Sequence, residues 1–94
     1  MIKEKDIIIK LFTALHPTIK IYLFGSYARG DFTEISDIDI AVDAGQKLTR
    51  KELSRLINIL EALNIPHKID LVDMHRIEET FKSVILKESI EWKH

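Results

Sequence analysis

Asp37 and Asp39 lie inside an otherwise apolar run, "DIDIAV", and a ten-residue spacer (27–36) separates them from the pair Gly25-Ser26. In a strand, side chains alternate between faces, so Ile38, Ile40 and Val42 would share one face and Asp37 and Asp39 the other. Two strand steps put the two acids about 7 Å apart along the backbone, near enough for their oxygens to converge on one point. Carboxylates held that close repel each other, and a hard divalent cation removes the cost. Mg²⁺ prefers sites of carboxylates plus substrate phosphates. A third acid arrives in "KIDLVD": Asp70 lies between Ile69 and Leu71 and would join the other two if the strands are neighbours. Three carboxylates on adjacent strands suit one or two metal ions that stabilise the attacking and leaving oxygens of a phosphoryl displacement.

Gly25-Ser26 supplies the other half of such a site. Glycine lets the backbone approach a ligand closely. The amides of a following helical turn, with the Ser26 hydroxyl, can hold phosphate oxygens. A phosphate cradle beside an acid cluster suits a nucleoside triphosphate with Mg²⁺.

These residues need elements to position them. Ile7, Ile8, Leu11, Phe12 and Leu15 recur at helical spacing through residues 2–15, and Pro17 ends that helix. "TIKIYLF" (18–24) alternates as a strand. "SYARG" is a short helical turn ending at Gly30, "DFTEIS" a loop, and "DIDIAVD" (37–43) a second strand. Leu53, Leu56, Ile57, Leu60 and Leu63 mark one helix face, with Thr49 and Glu52 spaced as a capping box. "NIP" (64–66) ends that helix, and "HKIDLVD" (67–73) is a third strand. Residues 75–88 read as a last helix through Ile77, Phe81, Val84 and Ile85, with Asp73 as its N-cap; the tail "SIEWKH" stays unassigned. The order α-β-α-β-α-β-α predicts an α/β (α+β) layer: one domain over 1–94, with a small mixed three-stranded sheet flanked by about four helices.

Bulk properties narrow the classes. Ninety-four residues with a formal net charge of −1 show neither the basic excess nor the basic stripe of a phosphate-backbone binder, so no direct nucleic-acid contact is expected. There is no cysteine, which excludes disulfides and thiolate metal sites. No apolar run approaches a membrane span and no signal-peptide core opens the chain, so a cytoplasmic location is expected. The four histidines show no paired metal-ligand spacing; His67, three residues before Asp70, is the one near the site. Tyr22, Phe24 and Phe32 read as core or loop packing, and Tyr27 and Trp92 as candidates for an interface.

The stretch "GSYARGDFTEISDIDIAV" resembles the signature of the DNA polymerase β superfamily of nucleotidyltransferases, and its full form is similar to the minimal nucleotidyltransferases. Gly-Ser, spacer, Asp-x-Asp and a later third acid are all in place, and the resemblance extends over nearly the whole chain. It implies the nucleotidyltransferase fold. It implies Asp37, Asp39 and Asp70 as catalytic metal ligands, with Asp70 also the base for the acceptor hydroxyl. Gly25 and Ser26 would bind the triphosphate. Arg29 falls within the motif and would contact a phosphate or a partner, or pair with Asp31 or Glu34. Such proteins are commonly paired with an all-helical HEPN toxin. The implied reaction is Mg²⁺-dependent transfer of AMP from ATP to a tyrosine of that toxin, the transferase acting as antitoxin in a hetero-oligomer or as a homodimer. Two other readings stay open: the same chemistry on a small acceptor such as an aminoglycoside, and a non-catalytic module that neutralises a toxin by contact.

Overall fold

The computed structural model describes residues 2–93. Helix α1 (Lys5–Leu15) leads to strand β1 (Lys20–Phe24), the one-turn helix α2 (Ser26–Arg29) and strand β2 (Ile38–Asp43). Helix α3 (Arg50–Ala62), strand β3 (Ile69–Asp73), helix α4 (Glu79–Glu88) and strand β4 (Ile90–Lys93) follow. The sheet has four strands in the order β3-β2-β1-β4. β1 runs antiparallel to β2 and to β4, and β2 runs parallel to β3.

The mixed sheet and four helices match the expected layer, with one strand more than expected. That strand comes from the unassigned tail; His94 lies outside the described residues. β4 has four residues and follows α4 with only Ser89 between them. Nothing in so short a run announces a strand. Its order comes from pairing along the free side of β1 and from Lys93, whose Nζ donates to the carbonyls of Pro17 (3.2 Å) and Ile19 (2.8 Å).

Alternation divides the sheet as the sequence predicts. Ile21, Leu23, Ile38, Ile40 and Val42 turn to one face, where Ile8 and Phe12 of α1 and Leu56 and Leu60 of α3 complete a core of buried aliphatic side chains. The capping box forms: Glu52 N donates to Thr49 Oγ1 (3.1 Å) and Thr49 N to Glu52 Oε1 (2.9 Å). Ile7, Leu15 and Ile57 lie at the margins of the apolar stripes and are about 40% exposed. On the other face, Ala41, Met74 and Ile85 form a smaller cluster with Tyr22, Phe24, Val72 and Ile77.

The last helix begins later than expected, at Glu79 with Glu78 as N-cap, and Asp73 does not cap it. Asp73 is buried at the end of β3 instead, 3% exposed. It accepts from Leu48 N (2.9 Å) and His75 N (2.9 Å) and lies 3.6 Å from Arg76 Nε. This carboxylate ties the 44–49 connection to the sheet, and residues 75–78 wrap around it rather than starting the helix. No helix among the described residues is long and apolar enough to cross a membrane.

Candidate active site

The turn after β1 depends on a missing side chain. Gly25 has φ +74°, and a Cβ built there would collide with the Asp39 carboxylate. The collision follows from register: Asp39 is the ladder partner of Phe24, so its side chain passes directly over the next residue. Gly25 therefore both adopts the left-handed φ and makes room for the acid. α2 starts at Ser26, and its first amides have no partner within the helix. Gly30, at φ +86°, closes the turn with N–H to Ser26 O at 2.9 Å.

β2 and β3 bring the acids together. Asp39 is the direct partner of Asp70 in the parallel ladder, so both side chains project to the same face. Asp37 sits one residue before β2 begins. Asp39 is held above the ordinary carboxylate range, first by partial burial, then by the charges of Asp70 and Asp37; Arg29 and Lys68 oppose the rise without cancelling it. Asp39 thus senses both of the other acids. The three are not drawn into one coordination sphere: among the described residues, no three His, Cys, Asp or Glu side chains stand as a ready metal cluster. Oxygen-only donors with unbalanced negative charge are nonetheless the donor set a hard divalent cation takes.

Arg29 does not meet Glu34. Its Nε lies 3.3 Å from Asp31 Oδ2 and its Nη1 3.7 Å from Glu88 Oε2, both in exposed surroundings. Glu88 belongs to α4, and no local signal in the sequence links it to Arg29. Lys68 adds a cation that the motif does not include: its Nζ stands 3.8 Å from Asp70 Oδ1. Its signal is local, since Lys68 lies two residues before Asp70, just ahead of β3.

His67 turns its ring toward Tyr27. Its Nδ1 is 3.5 Å from the Tyr27 hydroxyl, and the two rings meet edge to face. Tyr27 stacks on Phe32 at 4.3 Å and packs partly against the main core. Trp92 likewise packs against that core.

Known proteins share the sequence profile and the fold. The sequence profile of the family described as "Polymerase beta, Nucleotidyltransferase" matches residues 6–91. MJ0435 of Methanocaldococcus jannaschii, a proposed protein adenylyltransferase, is 36% identical over 76 residues, covering 81% of each chain. A chain of a toxin–antitoxin crystal structure with AMP-PNP superposes with a TM-score of 0.77 at 32% identity, over 94% of this chain and 71% of that one. A chain of the complex between a tri-AMPylated Shewanella oneidensis HEPN toxin and its MNT antitoxin superposes with a TM-score of 0.71 at 30% identity, over 95% and 68% of the two chains. With the profile matched over nearly its whole length and the signature residues gathered at one end of the sheet, the chain belongs to the polymerase β nucleotidyltransferase family.

Proposed function

We propose that this nucleotidyltransferase moves AMP from ATP to a tyrosine hydroxyl of a helical HEPN-type toxin and so acts as its antitoxin. The observation that carries the reading is the Gly25 turn with Asp39 laid across it and Asp70 beside Asp39 in register. A turn with unpaired amides and acids with unbalanced charge meet there, which suits transfer from a triphosphate. The Ser26 hydroxyl and the first amides of α2 would hold the outer phosphates. Asp37, Asp39 and Asp70 would hold Mg²⁺, which when bound offsets charge on the attacking and leaving oxygens. Asp70, on the edge strand, would take the proton from the acceptor hydroxyl. The tyrosine oxygen then forms a bond to the α-phosphorus, the bond to the bridging oxygen breaks, and pyrophosphate leaves. Arg29 is exposed enough to exchange Asp31 and Glu88 for a phosphate. The relatives with a toxin partner support the acceptor, and the ATP requirement with a cysteine-free chain fits the cytoplasm.

The test is the intact mass of the cognate toxin after incubation with the protein, ATP and Mg²⁺. Mass added in steps of one AMP, located to tyrosine by fragmentation and lost with Asp39→Asn, is the expected result. An unmodified toxin that is still neutralised would overturn the catalytic reading in favour of neutralisation by contact.

A further inference from the structure

The two edges of the sheet differ. β4 closes one side with a register break between Ile21 and Tyr22. β3 forms the other side and pairs regularly with β2 from Ile38↔Ile69 to Val42↔Asp73. Ile69–Asp73 contains neither a proline nor a bulge, two of the usual ways to blunt an edge. Ile38 N donates to Lys68 O at 2.9 Å and Met74 N to Val42 O at 2.9 Å. The even-numbered main-chain groups of this segment therefore face β2, and those of His67, Ile69 and Leu71 face outward. Beside them runs a groove of about 590 Å³ whose apolar wall includes Ile57, Leu60 and Ile65.

We propose that this edge joins two copies of the chain, β3 to β3 antiparallel about a twofold axis at Ile69, and that each copy thereby places its Lys68 beside the partner's Asp70. Register and charge together select the arrangement. Only outward-facing residues can exchange ladder hydrogen bonds, so odd-numbered residues must oppose odd-numbered ones. A pairing centred on residue 68 sets Lys68 against Lys68, and one centred on 70 sets Asp70 against Asp70; like charges directly opposite are unfavourable. A pairing centred on 71 leaves both charges without a partner. The pairing centred on Ile69 sets Lys68 against Asp70 twice. It also covers Ile69 and Leu71, which are only partly buried in the single chain. On the acid side, Asp70 gains a second cation directly opposite it, beyond its own Lys68, whose side chain is 71% exposed and 3.8 Å away. The partner copy thus contributes to the charge balance of the acid cluster. The pairing bears on the proposed site through Asp70, and the solution mass reads it separately from the transfer reaction.

The test is the mass of the full chain in solution by sedimentation over a concentration series, with circular dichroism on each variant. A reversible dimer is expected. Lys68→Asp or Asp70→Lys alone should weaken it roughly tenfold or more, and the double swap should restore it. A monomer throughout the series, or single variants that associate as tightly as the parent, would overturn the proposal. Cysteine pairing tests the register without relying on charge, because the chain has no cysteine of its own. Facing positions would lie about 4.5 Å apart at Cα, within disulfide reach, whereas positions 68 and 70 of one strand lie about 7 Å apart and beyond it. Lys68→Cys with Asp70→Cys should therefore give a covalent dimer on mild oxidation and Lys68→Cys alone should not; no covalent dimer from the double variant would also overturn the proposal.

Discussion

β2 and β3 carry aspartates at both ends, and the two ends treat them in opposite ways. At the end next to Gly25, Asp39 faces Asp70 in the ladder and is held above the usual carboxylate range by burial and by its acidic neighbours. At the far end, Asp43 and Asp73 are fully partnered. Burial pushes Asp43 up, but the Gly45 amide and the His75 ring, 2.6 Å away, outweigh it and hold Asp43 below its ordinary value. Asp73 has Leu48 N, His75 N and Arg76 around it. One residue type on the same two strands is thus a fastening at one end and an unpaid charge at the other; the unbalanced end is where a cation would have charge to neutralise.

Variants can break this contrast from either side. Gly25→Ala carries the largest expected effect on activity. The new methyl must displace the Asp39 carboxylate, and the left-handed φ strains any L side chain. We expect AMP transfer to fall on the order of a hundredfold or more, measured at saturating ATP. Asp73→Ala carries the largest expected effect on stability. It leaves two amides and Arg76 short of a buried partner and should cost about 3 kcal/mol in denaturant unfolding. Asp43→Asn should cost less, about 1 kcal/mol at neutral pH. Its sign with pH is fixed. Asp43 has a lowered folded value, so its stabilisation is present above the ordinary 3.8 and is lost as pH falls through the folded value. Asp39 behaves oppositely. Its folded value is raised from 3.8, so its contribution falls as pH climbs through the interval between the two values. The parent should therefore lose a little stability across that interval relative to Asp39→Asn, as read by melting temperature against pH.

How much of this is legible in the sequence differs between the same two ends. The Gly25-Ser26 turn, the spacer and Asp-x-Asp depend on residue type and short spacing, so they read directly, and Asp70 follows from strand alternation. The fastened end depends on contacts that no local pattern announces. Asp73 and Leu48 are separated by 25 positions. From the chain alone, an aspartate before a helical pattern reads as a cap, and the pull of Leu48 N and Arg76 is invisible. β4 is missed for a related reason: four residues gain strand order only from β1. The pairing of Arg29 with Asp31 is readable from their spacing, but its tie to Glu88 needs α4 folded back over the sheet.

The most direct measurement pairs two readouts on one variant. Asp39→Asn keeps the shape of the side chain and removes the unbalanced charge. Its melting temperature and its transfer of α-labelled AMP to the toxin would be followed beside the parent at neutral pH. If the acid end is held in repulsion for the sake of catalysis, the variant melts slightly higher, on the order of 2 °C because the group is only partly buried and is screened, while label transfer is abolished. A variant that melts lower, or that still labels the toxin at the parent's rate, would contradict the account.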